Sequence, residues 1–279
     1  MVDDVKLPEG GVTPTFQPLQ PVNCVSFSGT GMRKKNMRHA FKLNLPRVAA
    51  FVPTTKPEVV IIAGGPSLNK HYQEIPQGMD IITCGSVHDH ALSLGIKPTY
   101  HVECDPALTQ INMYKRPSDA HYLVASRCHK TMFNHLKDRK VSLWHMWELD
   151  LGKKVYKGEP AMICGATVVL SAVPLAMAMG YKHLHFFGFD SSFETFEENH
   201  AYPQHESSAQ LTVRVGKADG KEFKTTATWA GQAQQFEDMR KNWPFRCTIY
   251  GNGMIAEMER IKHQEAMDNI KAETARIST

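Results

Sequence analysis

The run Val59-Val60-Ile61-Ile62-Ala63 is uncharged and mostly β-branched, and it stops abruptly at Gly64-Gly65-Pro66-Ser67-Leu68. Apolar residues at consecutive rather than alternating positions predict a strand covered on both faces, which is the habit of a parallel sheet between helices. The two glycines and the Pro-Ser that follow predict a tight turn into a helix. A buried strand that delivers bare backbone N–H groups to a helix start is a place to hold phosphate. Gly64, Gly65, Pro66, Ser67 and Leu68 are therefore the first candidate ligand residues, for a nucleotide or another phosphorylated small molecule. The alternative is an ordinary strand-to-helix turn.

Similar short runs recur at Asp80 to Cys84, Thr99 to Glu103, His121 to Ala125, Val141 to Met146 and His183 to Phe187, mostly separated by helix-like stretches. That alternation predicts an α/β fold with a largely parallel sheet and helices on both faces. Residues 1–57 contain Pro8, Pro14, Pro18, Pro21, Pro46, Pro53 and Pro57 and read as an irregular lead-in with a short helix from about Met32 to Val48. The main domain is expected over residues 58–255, with a small β-hairpin insertion at 207–227. In that hairpin Leu211, Val213 and Val215 alternate, and Asp219-Gly220 supplies the turn. Trp229 to Asn242 predicts a helix, Thr248 to Tyr250 a last strand, and residues 256–279 the bulk of a charged terminal helix beginning near Met254. Its Met254, Ile255, Met258 and Ile261 suit packing on the parent domain, with a homo-oligomer contact as the alternative.

The chain has 279 residues, 42% hydrophobic and 22% charged, with a formal charge of +4, enough for a substantial core and compatible with an anionic small ligand. It has no basic block to grip a duplex, so nucleic acid is not expected as a partner. Cys24, Cys84, Cys104, Cys128, Cys164 and Cys247 form no C-x-x-C pair, and reduced thiols of a cytoplasmic protein are the expected state. Met1-Val2-Asp3-Asp4 lacks the features of a signal peptide. The uncharged stretch Pro160 to Tyr181 is long enough to cross a bilayer, but Gly165, Ser171 and Pro174 interrupt it and a strand follows, which predicts a helix buried against the sheet rather than a membrane span.

In a parallel sheet, ligands collect at the carboxyl ends of the strands. Gly85 and Ser86 follow the second strand, Asp105 the third, Ser126 and Arg127 the fourth, and Gly188 and Asp190 the sixth. Gly165-Ala166-Thr167 opens the long apolar helix and makes a second candidate anion site, with Thr167 able to donate a hydroxyl. Asp105 and Asp190 beside a phosphate cradle would suit Mg2+; as alternatives, each aspartate caps a turn or helix start. His200 lies in the aperiodic segment Ser191 to His205, where a loop can fold over the strand ends, and is a candidate substrate contact or general acid/base. His183 and His185 share one face of a strand, but no cysteine or further carboxylate stands at zinc-site spacing, so they read as packed or hydrogen-bonded side chains. No G-x-x-x-x-G-K-[ST], G-x-G-x-x-G or G-x-S-x-G motif is present, which argues against P-loop ATPases, ordinary NAD enzymes and serine hydrolases.

Ala63-Gly64-Gly65-Pro66-Ser67-Leu68, Gly95-Ile96-Lys97-Pro98-Thr99-Tyr100 to Asp105-Pro106, Gly165-Ala166-Thr167-Val168 to Met179-Gly180-Tyr181, and Phe187-Gly188-Phe189-Asp190 together resemble the MptE-like 6-hydroxymethylpterin diphosphokinase family. The resemblance extends through Asp219-Gly220 to Tyr250-Gly251-Asn252-Gly253. It implies a Rossmann-like core and, in the archaeal members, magnesium-dependent transfer of diphosphate from ATP to a hydroxymethylpterin. Related domains occur in the motility accessory factors linked to flagellin glycosylation, and stand-alone relatives occur in phage genomes. Bacterial sialyltransferases that use CMP-sugars share a similar Gly-Pro-Ser-Leu loop. Cys84-Gly85-Ser86 departs from the family pattern, in which an Asn is common after the second strand.

The expectation is a transferase that binds ATP or a nucleotide sugar through the Gly64 to Leu68 turn, with Asp105 and Asp190 on magnesium. Asp190 and His200 are the expected catalytic groups, and the acceptor is expected under Ser191 to His205. Diphosphokinase-like transfer to a pterin-like alcohol comes first, because a compact chain suits those members. A nucleotide-sugar glycosyltransferase is the second reading, and a non-catalytic nucleotide-binding module, such as a phage accessory protein, is the third.

Overall fold

The computed structural model describes residues 28–204, 209–216 and 219–277. Residues 1–27 of the N-terminal lead-in, Cys24 among them, His205 and residues 217–218 of the predicted hairpin lie outside the described residues.

Seven strands form one all-parallel sheet: β1 (Glu58–Ile62), β2 (Asp80–Cys84), β3 (Tyr100–Glu103), β4 (His121–Ala125), β5 (Val141–Trp144), β6 (His183–Phe187) and β9 (Arg246–Tyr250), in the order β5-β4-β3-β2-β1-β6-β9. The central strand β1 explains its own sequence. Val59 and Ile61 belong to one core and Val60 and Ile62 to a second on the opposite face, all four fully buried. The first core takes in α4 (Lys130–His135), α5 (Val168–Ala178) and α6 (Ala227–Asn242), with Ala40 from α1 (Thr30–Ala40). The second takes in Leu68 of α2 (Leu68–His71) and Ala91 of α3 (His88–Ser93). The fold is thus α/β and Rossmann-like, with helices on both faces. The antiparallel pair β7 (Gln210–Arg214) and β8 (Glu222–Thr226) stands apart as the hairpin.

Three expectations about elements change. The lead-in helix is α1, shorter than expected, followed by 3-10 turns at Phe41–Leu43 and Val48–Ala50. The helix after Ser67 is a single turn of four residues. The long apolar stretch contributes eleven helical residues, α5, whose inward residues from Val169 to Ala176 are buried. Among the described residues no helix is long and apolar enough to cross a membrane. The terminal helix α7 (Met254–Ile277) buries Met254 and Ile255 and packs Met258 and Ile261 on the core, whereas Ile270 further along is 60% exposed.

Strand order sets where a ligand can sit. The chain steps outward from β1 to β5, then returns to place β6 on the other side of β1, so the carboxyl ends of β1 and β6 mark the reversal point.

Candidate functional site

The turn after β1 does not present all its amides to solvent. Gly65 N–H donates to the Gly188 carbonyl at 2.7 Å, Ser67 N–H donates to Asp190 Oδ2 at 2.9 Å, and Leu68 N–H returns to the Gly65 carbonyl at 3.2 Å. The two loops at the reversal point are therefore sealed against each other. Gly65 is glycine because of that approach: a Cβ there would stand 2.4 Å from Asp190 Oδ2 and 2.5 Å from the Gly188 oxygen. Ser67 and Leu68 are themselves buried. This corrects the picture of a bare cradle, since the protein's own carbonyl and carboxylate occupy the position expected for phosphate at Gly65 and Ser67.

Asp190 is the seal. It is buried, and Gly251 and Gly253 close over its other oxygen. Burial raises its pKa, offset by the Ser67 amide and hydroxyl and by the charges of His71 and Lys70. Asp105, after β3, is half-buried, and its Oδ1 accepts the Ala107 amide at 2.8 Å in a turn of its own. Strands β3 and β6 are three strand spacings apart, about 14 Å, and the charge of Asp105 acts on Glu103 and Cys104 rather than on Asp190. The pair expected to hold magnesium is not brought together, because strand order separates the two loops and each carboxylate already caps backbone. These residues do not fit a shared magnesium site.

What gathers on the carboxyl edge, on the β2 side of β1, is a group of polar and aromatic side chains that forms the candidate cleft. The segment from Asn199 to Gln204 folds back over the strand ends, with Ala201 N–H on the Gly64 carbonyl (2.9 Å) and Asn69 Nδ2 on the Ala201 carbonyl (2.7 Å). Tyr202 follows, its hydroxyl 2.6 Å from Ser86 Oγ, and Ser86 also donates to Gln204 Oε1 at 2.7 Å. The Tyr202 hydroxyl lies 2.6 Å from where a Gly64 Cβ would stand, so Gly64 makes room for the ring, and burial pushes the phenol pKa up to about 12. His200 is half-buried, its Nδ1 2.6 Å from Asn199 Oδ1, its ring 5.7 Å from Tyr202 and edge-on to Trp229 at 5.2 Å.

The start of α5 adjoins this cleft. Val168 packs against Gly85, whose Cβ position is 3.5 Å from Val168 Cγ2. Ser171 is the first amide satisfied within the helix, by the Thr167 carbonyl at 3.0 Å, so the amides of Val168 to Leu170 have no partner within the helix, at its positive end. Thr167 is the cap residue, but its hydroxyl caps no amide, and among the described residues its buried Oγ1 has no hydrogen-bond partner. The neighbouring α6 differs, since its cap Thr226 accepts the Trp229 amide. Gln235 of α6 accepts the Ala166 amide at 2.7 Å and fixes the Gly165-Ala166-Thr167 approach. Of the residues proposed from sequence, Gly64, Ser86 and His200 gather around Tyr202, Gly85 lies against Val168 at the start of α5 and Gly165 against Leu170 and Gln235, while Gly65, Ser67 and Asp190 seal the turn beside them. Tyr202 and Trp229 escaped the sequence reading, their only signal being aromatic residues in or beside an aperiodic loop.

A second polar group lies under β2 and β3. Thr83, His88, His101, Glu103, Tyr114 and Tyr122 are all buried and hydrogen-bonded in a chain, with Glu103 Oε1 accepting the amides of Cys104 and Asp105 and Oε2 the Tyr114 hydroxyl. Burial lowers the His88 pKa to about 4.

A family model described as 6-hydroxymethylpterin diphosphokinase MptE-like matches residues 34–195. Among solved structures, the MAf glycosyltransferase from Magnetospirillum magneticum AMB-1 aligns with a TM-score of 0.58 at 16% identity, covering 82% of this chain. This chain spans only 38% of that protein's length. The monofunctional alpha-2,3-sialyltransferase Cst-I from Campylobacter jejuni aligns at a TM-score of 0.43 and 14% identity, covering 75% of this chain and 81% of that one. No curated protein matches the chain.

Proposed function

The chain belongs to the 6-hydroxymethylpterin diphosphokinase MptE-like family, and from that premise we propose that it is a transferase holding the phosphates of a nucleotide donor at the start of α5. The observation that carries the reading is the uncapped start of that helix, where the Thr167 hydroxyl caps no amide and its buried Oγ1 has no hydrogen-bond partner among the described residues. An unpaired buried hydroxyl costs about 1–3 kcal/mol, and a phosphate oxygen accepting from Thr167 and from the helix amides removes that cost.

The first reaction proposed is diphosphate transfer from ATP to the hydroxymethyl group of a pterin-like acceptor. The acceptor oxygen bonds to the β-phosphorus, the bond from that phosphorus to the oxygen bridging to the α-phosphorus breaks, and AMP leaves. In this reading His200 takes the acceptor proton, and Tyr202 and Trp229, whose rings neighbour His200, stack or edge against the acceptor ring. Ser86 orients Tyr202, and Asp190 acts as a positioning residue that locks the β1 turn. No step runs through a metal held by Asp105 and Asp190.

A second reading is transfer of a sugar from a nucleotide donor, favoured by the fold shared with the MAf glycosyltransferase. Product analysis separates the two. AMP release from ATP that depends on a hydroxymethylpterin supports the first, and CMP or UDP release from a sugar nucleotide supports the second. Donor binding without either product would overturn the transferase assignment and leave a binding module.

A further inference from the structure

The amino edge of the sheet, opposite the cleft, carries a cluster that the transferase does not use. Glu58 opens β1 and His183 opens β6, and parallel register sets Glu58 beside His183 and Val60 beside His185. Successive odd positions on β6 share a face, so both imidazoles and the carboxylate lie together on one side of the sheet. His183 Nδ1 is 3.6 Å from Glu58 Oε1 and His185 Nε2 is 3.2 Å from Oε2, and the ligand atoms of the three residues lie within 4.8 Å of one another. Ligand atoms of a tetrahedral metal with bonds of about 2.1 Å stand about 3.4 Å apart, so small side-chain rotations bring one atom of each residue onto a common centre.

The far side of each ring is held by β9. His183 Nε2 is 2.9 Å from Thr248 Oγ1, and Tyr250 Oη is 3.4 Å from His185 Nδ1. Hydroxyls on the outer nitrogens are the kind of partner that fixes the tautomer and aims the inner lone pair of a metal-bound histidine. His183 Nδ1 faces a carboxylate oxygen 3.6 Å away, a gap longer than a good hydrogen bond and one that a shared cation would bridge. The side chains of Glu58 and His183 are 35% and 18% exposed, so a fourth position opens toward solvent.

We propose that Glu58, His183 and His185 bind a zinc-class divalent cation on the amino edge of the sheet, with an open coordination position. Two imidazoles and one carboxylate suit Zn2+, Co2+ or Ni2+, whereas Mg2+ and Ca2+ demand oxygen ligands. The site is separate from the cleft and independent of the reaction assigned there.

The test uses the whole chain stripped with chelator and titrated with Zn2+ against a chromogenic competitor, alongside Co2+ absorption. One saturable equivalent with an intense tetrahedral Co2+ band is expected. The double variant His183→Gln/His185→Gln should weaken Zn2+ binding at least a hundredfold, and Thr248→Val about ten- to a hundredfold, each with native circular dichroism and unchanged donor binding. Absence of a one-equivalent site in the wild type overturns the proposal, as does equal affinity in the folded double variant. If the double variant fails to fold, Thr248→Val and the Co2+ band decide: an octahedral band in the wild type, or no change in Thr248→Val, overturns it.

Discussion

At the scale of single residues, the carboxyl edge is governed by close approach. Gly65 has the Gly188 carbonyl and Asp190 where its side chain would be, and neither backbone nor a buried carboxylate can retreat. Gly65→Ala is expected to cost at least about 1–3 kcal/mol of stability, read from urea unfolding. Asp190 divides by substitution: Asp190→Asn keeps an oxygen for the Ser67 amide and should stay folded and retain donor binding. Asp190→Ala orphans that amide and should lose about 1–3 kcal/mol. Equal stability of the two variants would contradict the role of Asp190 as the seal. The sequence showed that Asp190 stood at a strand end next to glycines, but not that its carboxylate points back into the turn. That direction depends on a contact 123 residues away in the chain.

At the scale of elements, the strands were legible because each is a short run dominated by β-branched, aromatic or other apolar residues, although only Val59 to Ala63 is apolar at every position and the other five runs carry polar residues such as Asp80, His101, His121, Ser142 and His183. Two things were not. Helix α2 is one turn long, and nothing in Leu68-Asn69-Lys70-His71 separates a single turn from a longer helix. Register between strands distant in sequence was equally hidden: it separates Asp105 from Asp190 and joins Glu58 to His183 and His185. The N-terminal segment offers a test of its anchoring. Arg47 pairs with Glu159, which also contacts His145, and the Arg47 hydrogen bonds lower the Glu159 pKa to about 2. A carboxylate depressed in the folded state stabilises above its ordinary pKa and loses that contribution as pH falls from about 4.5 to about 2. Glu159→Gln should therefore cost about 1–2 kcal/mol at pH 7 after solvent screening. The gap to wild type should close over that acid window in melting experiments.

For the whole molecule, the sheet divides the proposed chemistry between its edges: the proposed donor and acceptor sites at the carboxyl ends, the proposed cation ligands Glu58, His183 and His185 at the amino ends, and a buried polar chain between β2 and β3. That chain makes the fold acid-sensitive. His88 is fully buried, with its pKa lowered to about 4, so the unfolded chain takes up the proton first. Stability should be complete above about pH 6.5 and fall toward pH 4 by up to about 1.4 kcal/mol per pH unit from this residue. His121, lowered to about 4 by burial, acts in the same direction. A stability profile flat between pH 7 and 4 would contradict the neutral, buried state of these rings.

The account rests on phosphate recognition at the start of α5, and the most direct measurement is calorimetric titration of ATP into the wild type and Thr167→Val, a nearly isosteric change that removes only the hydroxyl. If that hydroxyl meets a charged phosphate, its loss should weaken binding by about 1.5–3 kcal/mol, roughly ten- to a hundredfold in Kd, with the fold intact. An unchanged Kd in the folded variant would contradict the assignment.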